Sequence, residues 1–238
     1  MATDTVRERI IAAIVTRLAS AVTSKGFNLS LGTNVNRAIM NVDPDKVPFF
    51  NVLPLSETVT QLQSVNQATM VVKVEGAAEH GSTNASKIAE QILGDLIEIL
   101  TATTWTLAFT SGGTFTPLVG HTIAGNVSAA TAFIEAITVS SGSWAAGNAA
   151  GTFTLRRLTG LFQAETLKIG TNLDVATIAG APSGSKAITA ATAGLAESIL
   201  YVEGGPTEYP AEGNLLTGCS AFFRVIYTTR VGDPYNKP

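Results

Sequence analysis

The residues best suited to chemistry are few: two histidines, one cysteine and scattered acids. His80 follows Glu79 directly, and His121 lies far along the chain in a stretch of different composition. A nucleophile–imidazole–carboxylate set must converge within hydrogen-bond reach, and neither histidine has neighbours that suggest one. Cys219 is alone, so it can form neither an intramolecular disulfide nor a thiolate metal cluster. We read it as a small apolar residue in a turn before the last strand. The run Gly180-Ala181-Pro182-Ser183-Gly184-Ser185-Lys186-Ala187 has the glycines and lysine of a phosphate loop. It lacks the Walker spacing, the hydroxyl residue after the lysine and a following helix. Glu203, Glu208 and Glu212 gather around the last predicted hairpin, where they suit a solvated or inter-subunit charged edge better than acid–base catalysis. The expectation is a protein that is not an enzyme and holds no cofactor or metal.

Composition points the same way. Hydrophobic residues make up 45% of the 238, enough for a large core, while charged residues make up 14%. A soluble domain ordinarily carries about a quarter, so this surface suits burial in an assembly. The net charge of −3 without a basic stripe argues against a dedicated nucleic-acid binder. The N-terminus MATDTVRERI is charged and opens a helix, without the apolar core of a signal peptide. No apolar run nears the roughly 20 residues of a membrane span. Synthesis in a reducing cytoplasm is the simple expectation.

These residues are positioned by elements legible in the pattern. Thr3 to Lys25 reads as a helix with Val6, Ile10, Ile14, Leu18 and Val22 on one stripe, and Thr5 with Glu8 fits a capping box. Pro48 to Pro54 is a short strand and Thr69 to Gly76 a clearer one, while polar Glu57 to Gln67 suits a hairpin loop or extended arm. Asn84 to Leu100 is the second helix, capped by Asn84. Ser198 to Glu203 is a strand broken by Gly204-Gly205-Pro206. The last strand, Ala221 to Thr229, has apolar residues in both alternating sets and so reads as central, ending at Gly232-Asp233-Pro234.

Between the second helix and Ser198 charge nearly vanishes, and Gly, Ala, Ser and Thr dominate. Short β-prone runs recur at 104–109, 131–139, 151–155, 166–169 and 175–178. The segment from Gly113 through His121 to Gly125 faintly repeats in Gly160 to Gly170, as if two halves of a small barrel or sandwich paired. The reading is an α+β two-layer sandwich, built from residues 1–101 and 196–238. It has a four-stranded, mainly antiparallel or mixed sheet with two helices on one face, and residues 102–195 are inserted as a small all-β domain.

With the insert removed, the RERIIAAIVTRLA helix, the MVVKVEG strand, the apolar helix to Leu100 and the terminal FFRVIYTTRVGDPY resemble tail terminator, or tail completion, proteins of long-tailed bacteriophages. Tyr227 to Pro234 match that family's strand running into Gly-Asp-Pro. The insert is similar to Gly/Ser/Thr-rich β modules that decorate virion proteins. The resemblance implies a structural virion protein of the tail or neck, made in the host cytoplasm and closed into a homohexameric ring. Such a ring caps the tail-tube protein, ends its polymerisation and offers the surface for head–tail joining, to a connector or head completion protein. DNA would cross the lumen without sequence readout, and no membrane is involved. A ring built from one heterologous contact leaves no free tube-building end. The candidate subunit or tube interface is Arg224, Arg230, Asp233, Tyr235, Glu203 and Glu208.

Two other readings remain. One is a tail-tube or head–tail connector subunit, which would polymerise or join instead of stopping at a ring. The other is a glycan-binding virion module using Trp105, Trp144 and Tyr201 as stacking platforms, against the commoner core role of such rings.

Overall fold

The structure is a computed structural model that describes residues 4–38, 44–81, 84–186, 192, 194–207 and 216–238. It is mostly β, 52% strand against 18% helix, with two large sheets of five and seven strands. The expected α+β sandwich with a four-stranded sheet is therefore wrong. A short extra strand joins the first sheet, and polar residues taken for a loop prolong two others. The chain divides into two compact units: residues up to Thr23, Phe27–Ala102 and Lys186–Pro238 in the first, and Ser24–Gly26 with Thr103–Ser185 in the second.

In the first unit, helix α1 (Val6–Leu18) starts where expected, with the Thr5 hydroxyl accepting the Glu8 amide at 3.1 Å. It stops earlier than its apolar stripe suggested, and Thr23–Lys25 turns as a 3-10 helix instead. Strand β1 (Val35–Arg37) runs parallel to the start of β2 (Phe49–Leu62). β2 then pairs antiparallel with β3 (Val65–Glu79) all the way to Leu62–Val65, so the polar stretch is strand, turning at Gln63 and Ser64. Its polarity comes from an edge position in solvent, where period-2 burial is absent. Helix α2 (Ala85–Thr101) follows, with the Asn84 side chain accepting the Ser86 amide at 2.9 Å.

The remaining strands of this unit come from the end of the chain. Labelling the seven strands of the second unit β4 to β10, they are β11 (Ala196–Thr207) and β12 (Leu216–Arg230). The order is β1-β2-β3-β12-β11, so the last strand is indeed interior. β12 matches β3 residue for residue over its whole length. Gly204, Gly205 and Pro206 do not break β11, which pairs with β12 through Thr207. Cys219 lies inside β12 and not in a turn, fully buried, and burial with the nearby Glu90 and Asp95 charges pushes its thiol up to about 12.

Alternation sets the core. Ala68, Met70, Val72 and Val74 of β3 and Cys219, Ala221, Phe223, Val225 and Tyr227 of β12 form one buried face with Ile10, Ile14, Ile92, Leu96 and Ile99 of the two helices. Both helices thus cover the same face. Gly76 lets α2 come close: a Cβ there would stand 2.6 Å from Ile92 Cγ2.

The second unit is a sheet in the order β10-β4-β7-β6-β5-β8-β9, from β4 (Thr103–Phe109), β5 (Thr122–Gly125), β6 (Thr131–Ser141), β7 (Ala150–Thr159), β8 (Ala164–Ile169), β9 (Asn172–Ala179) and β10 (Ser183–Lys186). Thr110, just past β4, exchanges backbone hydrogen bonds of 2.8 and 2.9 Å with Thr177 of β9. That bridge joins the two sides of the sheet into a barrel. Phe109 stacks on Phe153 and Trp144 in its core, with Leu107, Ile134, Leu155, Leu167 and Val175 around them. The two repeat-like segments supply β5 and β8, which pair antiparallel through Ala124–Lys168 and Gly125–Leu167.

Candidate assembly surface

Buried face and open face alternate along β12, and this decides where the expected interface residues go. Phe222, Arg224, Ile226, Thr228 and Arg230 point away from the helices, and Arg224 and Arg230 are exposed. Arg224 stands between Leu200 of β11 and Val71 of β3, and Arg230 ends the strand opposite Val65. Lys73 reaches over the Phe222 ring at 5.8 Å and pairs with Glu75 at 2.6 Å. On this face half-buried Val71, Phe222 and Ile226 lie among scattered charges, and both described helices pack on the opposite face. Glu203 lies on the edge strand β11, opposite Phe222 and exposed. Glu208, like Glu212, lies outside the described residues.

Asp233 and Tyr235 belong to a tail that folds back on α1. The Pro234 carbonyl accepts the Val6 amide at 2.9 Å, and the Tyr235 carbonyl accepts an Arg9 guanidinium N–H at 2.5 Å. The Pro234 carbonyl thus satisfies one of the amides that a helix start leaves orphaned. The Asp233 carboxylate accepts the Tyr235 amide at 3.0 Å and the Asn236 side-chain amide at 2.8 Å. Those bonds hold its carboxyl below the usual range. The tail backbone is thereby held by its own subunit, while the Val231 and Tyr235 side chains stay 43% and 45% exposed.

The tail also closes one side of a pocket of about 220 Å³, lined by Thr5, Arg7, Glu57, Tyr227, Thr229 and Pro234 among others. It forms where β2, β3 and β12 outrun α1. Arg7 Nε lies 3.2 Å from the Glu57 carboxylate, and the buried Tyr227 hydroxyl donates to the same carboxylate. Burial first, and then that bonded carboxylate, push the Tyr227 phenol above its ordinary value. This trio missed any motif because its members are 50 and 170 residues apart. A phenol held protonated against a paired carboxylate braces the strands.

The remaining candidates stay apart. Nδ1 of His121 accepts the Leu118 amide at 3.2 Å, and its ring lies against Phe115. Of the three rings considered as stacking platforms, Trp144 is in the barrel core, Trp105 is half-buried against that core, and half-buried Tyr201 packs edge-on against Phe223 in the first unit. Among the described residues no three His, Cys, Asp or Glu side chains converge as a metal set, and no helix is long and apolar enough to cross a membrane.

Sequence reasoning missed the sheet's edges. Among the described residues of the first unit, the exposed large apolar side chains are Leu55, Val59 and Leu62 on β2, Leu200 and Val202 on β11, and Val231 and Tyr235 in the tail. The interior strands contribute none. Leu55, Val59 and Leu62 are spaced i, i+4 and i+7, a helical period that misdirects a reader away from the strand they occupy. No protein-family model and no curated protein matches the chain.

Proposed function

We propose that this chain is a structural subunit of a long-tailed bacteriophage, of the tail-terminator kind, that closes into a ring on the end of the tail tube and is not an enzyme. One observation carries the reading. The separate segments that resemble terminators, α1, β3, α2 and β12, fold into one unit around a sheet that carries exposed apolar residues on opposite sides, on the part of β2 that β1 leaves uncovered and on β11. A subunit with two different sticky edges associates head to tail, and a head-to-tail contact that closes gives a ring. The low charge and the open β12 face with Arg224 and Arg230 suit an assembly subunit. In this reading the partners are further copies of the chain, the tube protein and a head-side connector, with DNA crossing the lumen unread. The protein would act in the virion neck after synthesis in the host cytoplasm.

The same edges also suit a tube subunit, because a heterologous contact that fails to close gives an open filament. Light scattering and electron microscopy of the purified chain separate the two. Closed rings of defined mass support the terminator. Open tubes of indefinite length move the protein to the tube, and a monomer at every concentration removes both readings.

A further inference from the structure

We infer that the contact between copies is strand addition, in which the outer edge of β2 over Leu55–Leu62 on one copy meets the outer edge of β11 on the next. The inference rests on the head-to-tail reading above and specifies its chemistry. β1 reaches only Phe50–Val52 of β2, and among the described residues no strand pairs with the outer side of 55–62. An open edge offers a row of backbone donors and acceptors, and proteins that must stay single blunt it with lysine, proline or a short strand. Lysine and proline are absent between Leu55 and Leu62. A register shift at Pro54–Glu57 and an Arg7 bond to the Leu55 carbonyl leave Glu57 to Leu62 as the regular open edge, and its one charge, Glu57, is taken by Arg7 and Tyr227. Leu55, Val59 and Leu62 are 44%, 51% and 48% exposed along it.

The occupant is a second copy because each copy carries the matching half. β11 borders the opposite side of the same sheet, pairs among the described residues only with β12, and exposes Leu200 by 38% and Val202 by 56%. A β2 edge facing another β2 edge would leave the β11 leucine and valine uncovered, whereas β2 against β11 covers both sets with one repeated contact. Main-chain hydrogen bonds would supply affinity, and the apolar pairs the register.

The test uses the full chain with one edge blocked at a time. Val59→Lys with Leu62→Lys blocks β2, and Leu200→Lys with Val202→Lys blocks β11. Threonine versions of both pairs keep the inference testable should a lysine pair unfold the chain. Circular dichroism and Tm at wild-type values show that each variant is folded. Sedimentation should find each variant weakened in self-association by about ten-fold or more. An equimolar mixture should give species of two copies and nothing larger, because it holds one intact β2 edge and one intact β11 edge. If either folded variant assembles like the wild type, the strand-addition inference falls and the ring reading survives. If the β11-blocked variant alone forms stable dimers, the contact is β2 to β2 and the inference also falls. A wild-type chain that is monomeric throughout overturns both.

Discussion

The hydroxyl of Tyr227 on β12 donates to the carboxylate of Glu57 on β2, reaching past the intervening strand β3 to a residue 170 positions earlier. Arg7 of α1 pairs with the same carboxylate oxygen, Oε2. One carboxylate therefore ties the outer half of β2 to the centre of the sheet and to the first helix. Tyr227→Phe removes the bond to a charged acceptor and should cost about 1.5–3 kcal/mol in urea denaturation. Amide exchange over Leu55–Leu62 should speed up more than over β3, because the edge loses its brace while the ladder remains.

Asp95 of α2 is 1% exposed, and its carboxylate accepts the amides of Asn28 and Leu29 and the Asn28 side chain at 2.8–3.2 Å. Burial raises its pKa, and these bonds only partly oppose the rise. A carboxyl with a raised folded pKa favours the folded state while protonated. Its contribution is therefore full below the unfolded value and declines as pH rises through the folded one. Asp95→Asn should flatten that decline in Tm measured across mildly acid pH. Asp95→Ala should instead destabilise at every pH, by about 2 kcal/mol, because the two loop amides lose their acceptor.

Glu165 behaves in the opposite sense. Burial alone would raise its pKa, but the Ser128 hydroxyl and the amides of Ser128, Val127 and Gln163 outweigh it and hold the carboxyl at about 2. Its stabilisation is present above the unfolded value and is lost as pH falls toward about 2. Glu165→Gln should remove the acid-side loss between pH about 4.5 and 2. At neutral pH it should lower the stability of the barrel, read by near-ultraviolet signal from Trp144.

Gly76→Val should separate α2 from β3. Even a Cβ would stand 2.6 Å from Ile92 and 3.1 Å from both Leu31 and Phe50. Overpacking of this kind costs about 1–3 kcal/mol. The m-value in urea should be unchanged if the helix merely shifts, and a lowered m-value would mean that α2 has come off the sheet.

Deleting Val231–Pro238 removes the Pro234 carbonyl from the Val6 amide and the Tyr235 carbonyl from Arg9. The truncated chain should lose Tm through the freed start of α1. Self-association should also weaken if the exposed Val231 and Tyr235 side chains meet a neighbour. The substitutions Val231→Ser and Tyr235→Ser isolate that second effect, since they leave both backbone bonds in place.

What the sequence disclosed follows from how each element is buried. α2 and β12 were legible because they bury one regular face, and Asn84 and Thr5 because caps are local. The outer half of β2 was not, because an edge strand in solvent has no burial period to imprint, and the start of β3 beside it, though interior, is only half-buried from Val65 to Gln67. β1 is held by three parallel pairs to residues fifteen positions on, too short to leave a pattern. β10 and β5 are four residues each. The Arg7–Glu57–Tyr227 trio and the two apolar edges exist only once β12 has joined the sheet, so no local motif could announce them.

The bridge between Thr110 and Thr177 gives the two units opposite social behaviour. A barrel that has paired its own margins, with the four-residue β10 the one strand left at its rim among the described residues, has little backbone to offer a stranger. Many copies of it could crowd together without knitting into fibres, while the open sheet of the other unit stays free to choose its neighbour.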